Sequence, residues 1–191
     1  VHPCNNMDEL DTIVTEFLLP IKTSRQLDSM GTGLWLNATL ANTFSQSQAS
    51  LDHFQRLLDD NRIELYTLNG FPYANFHTPP VKSKVYSPDW ASSLRLSYTH
   101  QLASILSTCI RNPQSKGTIS TVPLGYASCW STSKHQAALS NLLTMVTELK
   151  KLHVETGRHI MLCLEMEPGC VLESSHQLDS FFCELITLGS H

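Results

Sequence analysis

The stretch His159-Ile160-Met161-Leu162-Cys163-Leu164-Glu165-Met166-Glu167-Pro168-Gly169 constrains the fold more than any other. A continuous apolar run ends in two acids and a Pro-Gly break. Apolar residues on both faces predict a strand buried on both sides, as in a parallel sheet. Side chains alternate along a strand, so Glu165 and Glu167 are expected to point the same way. Two carboxylates at the end of a buried strand need something to balance them: a metal ion, a basic partner or water.

The rest of the chain alternates in the same style. A helix is predicted from Asn6, which can cap the amide of Glu9, with Leu10, Ile13, Val14, Phe17 and Leu18 in helical phase. Pro20 is expected to end or kink it. Strands are predicted at 31–36, 63–68 and 118–124, besides the one ending at Glu165. Helices are predicted near 47–60, from 88 through a stripe of Leu94, Tyr98, Leu102, Ile105 and Cys109, over 133–155 with Gly157 as its stop, and over 174–188. A helix followed by four strand–helix units means an α/β fold with a parallel sheet, and one domain over residues 1–191. An open doubly wound sheet and part of a (β/α)8 barrel both fit. The strand–helix turns lack a G-x-G-x-x-G phosphate fingerprint, which weakens a dinucleotide fold. A barrel needs eight strands and about 250 residues, so four units would make only part of one.

Composition narrows the function classes. Thirteen basic against 17 acidic residues give a net charge of −4, which argues against a nucleic-acid surface. No run reaches the roughly 18 apolar residues that cross a bilayer, so no membrane insertion is expected. Val1-His2-Pro3 does not read as a signal peptide. The six cysteines form no C-x-x-C pair, and Cys109 and Cys163 sit in apolar runs as small buried hydrophobes. Reduced thiols and a cytoplasmic location are expected.

In either architecture ligands bind at the carboxyl ends of the strands. His2 and Asn5 precede the first helix. Asn37 follows the first strand, and Asn69, Phe71, Tyr73 and His77 follow the second. Gly125, Tyr126 and Trp130 follow the third, and Glu165, Glu167 and Glu173 the fourth. The segment holding His77 lies in a loop of about 15 residues, longer than usual and so a functional candidate. Trp35 and Trp130 also suit packing. His53, His100, His135 and His153 fall within helices as surface or capping groups. Carboxylate and imidazole ligands suit a divalent Mg, Mn or Zn ion, which would polarise a carbonyl or hydroxyl pair.

Six blocks resemble one family in order: Val1-His2-Pro3; Gly33-Leu34-Trp35-Leu36; Thr67-Leu68-Asn69-Gly70-Phe71-Pro72-Tyr73 with His77; Val85-Tyr86-Ser87-Pro88-Asp89-Trp90; Ser120-Thr121-Val122-Pro123-Leu124-Gly125; and Glu165-Met166-Glu167-Pro168-Gly169-Cys170. Together they resemble the EboE metabolite-traffic proteins, which are similar to the sugar isomerase/epimerase group of xylose isomerase-like TIM barrels. The resemblance implies a TIM (β/α)8 barrel present here as roughly its N-terminal half, without its first strand and its C-terminal half. It implies that Glu165 ends the fifth barrel strand and binds a divalent metal, with Glu167 as the second choice, and that His77 lies beside the pocket. The site expected on this basis has Glu165 and Glu167 as catalytic groups. Asn69, Tyr73, His77, Trp130 and His2 contact the substrate. The activity implied is isomerase- or epimerase-like, on a small polyol, sugar or secondary-metabolite precursor, with protein partners in a metabolite-traffic system. A non-catalytic carrier or scaffold with the same pocket is the alternative. Ala74-Asn75 departs from the family's Gly-rich spacing before the histidine. DNA repair of the endonuclease type shares the barrel but would want a basic cleft, against the charge found here.

Overall fold

The structure, a computed structural model, describes residues 4–74, 84–111 and 116–189. The first helix starts where its capping signal lies. Asn6 Oδ1 accepts the Glu9 amide at 2.9 Å, and the Glu9 carboxylate reaches back to the backbone and side-chain nitrogens of Asn5 at 2.8 and 2.9 Å. Helix α1 (Met7–Thr12) runs into a π-helical turn (Ile13–Leu18) and then α2 (Leu19–Ser24). Pro20 therefore does not end the run. The π turn has already shifted the ladder, with Leu19 N–H bonded to Val14 O, and Pro20 falls in the first turn of α2, where a missing N–H is tolerated.

Strands β1 (Met30–Trp35), β2 (Ile63–Asn69), β3 (Lys116–Thr121) and β4 (His159–Leu164) form one parallel sheet in the order β1-β2-β3-β4. Two helices, α3 (Ala38–Gln46) and α4 (Gln48–Asp60), join β1 to β2, where the sequence predicted only the second. Asn37 caps α3 through its side chain, accepting from Leu40 N at 2.8 Å. Helix α5 (Ser93–Cys109) joins β2 to β3, α6 (Thr132–Thr156) joins β3 to β4, and α7 (Ser175–Gly189) follows β4. Right-handed crossovers between neighbouring strands put every connecting helix on the same side. The described strands show no reversal of order, so they make a run of consecutive β/α units.

Burial follows from that one-sided layout. Ile63, Leu65, Leu68, Ile119 and Ile160 are buried on the helix-covered face, against Phe54, Leu58, Leu102, Leu106 and Met145. Each such side chain contributes roughly 1.5–3 kcal/mol by leaving water. On the other face Gly31, Gly33, Tyr66 and Cys163 are exposed, and Thr67, Thr118, Ser120 and Met161 are half-buried. This corrects the expectation of a fourth strand buried on both faces. In β4 only Ile160 is fully buried, and Cys163 is exposed rather than a core residue. No layer covers its second face among the described residues.

Strand β2 carries one extra residue. Thr32 pairs with Leu65, but the next residue, Gly33, pairs with Thr67. Tyr66 is the bulged residue, and the buried positions jump accordingly from Leu65 to Leu68. In α5 the buried stripe is centred on Arg95, Tyr98, Thr99, Leu102 and Leu106, which leaves Leu94 at its rim and 57% exposed. Gly157, at φ +71°, ends α6 in the left-handed conformation that glycine adopts without strain. No helix among the described residues is long and apolar enough to cross a membrane.

Candidate functional site

A hollow of about 310 Å³ lies between the π turn and strands β1, β2 and β3. Its floor is polar: Thr67 and Asn69 from β2 and Ser120 from β3. Ile13 and Leu18 from the π turn and Gly33, Leu34 and Trp35 from β1 line the rest. The π turn explains why two residues five apart line one hollow, because its i→i+5 bonding stacks them on the same side. Gly33 leaves the room. A Cβ there would stand 2.5 Å from the Thr67 methyl. The lining side chains among the described residues are all uncharged.

The floor is set by strand register. Trp35, Asn69, Ser120 and Cys163 lie side by side across the four strands, as do Gly33, Thr67, Thr118 and Met161. The Asn69 carboxamide is oriented by its neighbours. Its Oδ1 accepts from Phe71 N–H at 2.9 Å and from the Ser120 hydroxyl at 3.3 Å. An N–H donor requires an oxygen opposite it, which fixes the amide and turns Nδ2 away from the turn.

The turn after Asn69 is held from beneath. Gly70 N–H donates to Ser120 O at 2.8 Å, and Ala38 N–H donates to Tyr73 O at 2.9 Å. Pro72 O accepts from Trp35 Nε1 at 2.8 Å and from the Tyr98 hydroxyl at 3.2 Å. Gly70 O accepts from Arg95 Nη1 at 2.6 Å, and Arg95 Nε donates to Pro88 O at 2.9 Å. Arg95 is fully buried beside the rings of Tyr73 and Tyr98, and its Nη2 has no hydrogen-bond partner among the described residues. Burial pulls its pKa down to about 10, while the neighbouring Tyr98, Tyr73 and Asp89 oppose that shift.

The residues expected at the site do not all gather. Asn69 stands on the floor. Tyr73 turns its ring edge-on to Tyr98 at 5.2 Å, towards α5. Trp130 lines a separate shallow pocket with Ser131, Thr132 and His135 at the start of α6. Its ring packs over Gly125, and Lys134 Nζ lies 5.9 Å from it. His2 and His77 lie outside the described residues.

Glu165 and Glu167 follow Leu164, the last residue of β4, and meet different surroundings. Glu165 continues the ladder through its N–H to Thr121 O at 3.1 Å, and its side chain is exposed. Glu167 lies in a turn closed by Cys170 N–H on its carbonyl at 3.1 Å. Its carboxylate takes a hydrogen bond from the buried Tyr86 hydroxyl, which burial, and then the nearby Cys170 and Glu167, push well above its ordinary range. Burial likewise raises Cys170.

A divalent ion needs several hard or borderline ligands in one place. Among the described residues no three His, Cys, Asp or Glu side chains come together. The described part of the chain thus offers Glu165 as a single carboxylate at the strand end, short of a ligand set. The helical histidines are tied at the surface: His53 to Asp11 at 3.0 Å, His100 to Glu148 at 3.6 Å and His135 to Glu184 at 2.8 Å.

Thr67, Ser120, Ile13 and Leu18 were not among the expected site residues. A signal for Ser120 exists in β3, where Thr118 and Ser120 alternate with the buried Ile119 and Thr121. The two wall residues gave none, since they fall in one apolar helical run. No family model, curated protein or solved structure matches the chain.

Proposed function

We propose that this chain is the N-terminal part of a xylose isomerase-like barrel and binds a small metabolite on the open face of its sheet. The observation that carries the reading is the polar floor of Thr67, Asn69 and Ser120, set at the carboxyl half of a parallel sheet, where α/β proteins place their ligands. The ligand class is a small polyol, sugar or secondary-metabolite precursor, and the chemistry is isomerase- or epimerase-like with a divalent Mg, Mn or Zn ion. Glu165 would hold that ion together with ligands from outside the described residues. The ion would polarise a carbonyl or hydroxyl pair. The carrier reading, binding without turnover, is favoured by one observation: the described side chains lining the hollow are all uncharged, so none of these is placed to move a proton there.

The test is titration of the protein with sugars, polyols and oxygenated metabolite precursors, with and without Mn, followed by thermal shift and product analysis. Saturable stabilisation that Asn69→Leu abolishes supports the site. Conversion of a ligand, lost in Glu165→Gln together with bound metal, supports the enzyme. Binding without conversion leaves the carrier. No saturable binding of any compound refutes the proposal.

A further inference from the structure

We infer that the hollow selects an amphipathic neutral ligand, an apolar body ending in an oxygen that accepts from Asn69 Nδ2. The inference rests on the open-face site proposed above and narrows its ligand class.

Asn69 has two hydrogen-bonding ends, and the fold consumes one. Phe71 N–H and the Ser120 hydroxyl both point at Oδ1. No acceptor faces Nδ2 among the described residues, and Nδ2 is not among the buried unpaired nitrogens. It is therefore an accessible donor on a residue that lines the hollow, and we take the hollow as the space it serves. Ser120 has given its proton to Oδ1, so its oxygen remains as an acceptor. A ligand carbonyl satisfies Nδ2, and a ligand hydroxyl satisfies Nδ2 while donating to Ser120.

The opposite wall excludes a molecule that is polar all round. Ile13, Leu18 and Trp35 carry no free polar group into the hollow, because the Trp35 Nε1–H is spent on Pro72 O. A polyol set against them would gain no hydrogen bond from that side, where an apolar body gains contact. A carboxylate would meet no cation among the lining residues. A hydrocarbon ring or chain bearing one ketone, ester or alcohol oxygen matches both walls. About 310 Å³ lies at the small end of ligand pockets, so the ligand is small.

Three probes of graded polarity test this: 4-tert-butylcyclohexanone, tert-butylcyclohexane and myo-inositol. Each is titrated into ¹⁵N-labelled protein. The ketone is expected to bind with the Asn69 side-chain amide pair shifting in step, and the hydrocarbon and inositol to bind at least about fivefold more weakly, the value of one hydrogen bond. Asn69→Asp keeps an acceptor for Phe71 N–H and removes both free protons, so it should weaken the ketone by a similar factor. Should that variant fold poorly, the wild-type amide signals decide alone. Equal binding of ketone and hydrocarbon, or an unmoved Asn69 amide pair, overturns the inference. Inositol binding at Asn69 while the ketone does not also overturns it, and leaves the open-face site intact. Silence of Thr67, Asn69 and Ser120 towards all three, and towards the wider metabolite panel, removes both.

Discussion

Replacing Arg95 probes the support beneath Asn69. The guanidinium is completely buried and forms no ion pair with a carboxylate among the described residues. A pKa drawn from 12.5 down to about 10 means that the charged form is disfavoured by roughly 3 kcal/mol. Against this stand two charge-assisted bonds, to Gly70 O at 2.6 Å and Pro88 O at 2.9 Å, at roughly 2 kcal/mol each. The rings of Tyr73 and Tyr98, 5.9 and 5.7 Å away, add roughly 1 kcal/mol. Arg95→Met fills nearly the same volume but leaves both carbonyls without these donors, so it should lose about 2 kcal/mol. Arg95→Ala adds a cavity and should lose about 4 kcal/mol. Urea unfolding followed by tryptophan fluorescence reads both, and for a chain of this size the melting temperature should fall about 2–4 °C per kcal/mol. A methionine variant as stable as the parent, or more so, would refute the reasoning, because the buried cation would then cost more than its bonds return.

Two further outcomes follow from buried groups. Burial raises the thiol of Cys109 from 9.0 to about 12, so the folded state keeps a proton that the unfolded chain releases above pH 9. The stabilisation is complete below pH 9 and is lost as pH climbs towards 12, at up to about 1.4 kcal/mol per pH unit. Urea midpoints at pH 8 and 10 should show the decline, and Cys109→Ala should make it shallower; an unchanged slope counts against it. Gly70→Ala would set a Cβ 2.8 Å from Ser120 O, a backbone atom that cannot step aside. It should cost about 1–3 kcal/mol as overpacking, whereas Leu94→Glu on the exposed rim should stay within about 0.5 kcal/mol of the parent. Thermal melts of the two variants check the contrast.

The strands and their parallel pairing were legible because apolar runs and turn residues mark them locally. The cap at Asn6 and the stop at Gly157 were legible for the same reason. Helix α3 was hidden by its shortness. Leu40, Ala41 and Phe44 carry its buried face, but Asn37 looks like a loop residue until it is seen to cap. Arg95 was illegible as a core residue, since nothing in its own turn shows that two distant carbonyls converge on it. The acids after β4 were not to be oriented from alternation alone. Alternation holds only while the strand lasts, and the ladder's end at Leu164 depends on its neighbour rather than on local sequence. The π turn is a compromise between an apolar helix and Pro20, and only its ladder shows that Ile13 and Leu18 share a wall.

The bulge in β2 ties fold to site. Along Ile63 and Leu65 the odd-numbered residues face the helices. Had the strand kept strict alternation, Thr67 and Asn69 would follow them into the core and Leu68 would face the open side. Insertion of Tyr66 reverses the phase, so Leu68 is fully buried while Thr67 and Asn69 line the hollow. Tyr66 lies on the open face: a Cβ on Gly31 would meet its ring at 3.1 Å, and its hydroxyl bonds to Glu64. Burying the Asn69 carboxamide without partners among Leu58, Leu102 and Leu106 would carry a penalty of about 1–3 kcal/mol. The extra residue removes that penalty and supplies the polar floor in one step. Deleting Tyr66 should therefore do more than shorten a strand. It should return Asn69 to the helix side, with loss of stability and of ligand binding together, whereas Tyr66→Phe keeps the phase and should retain both.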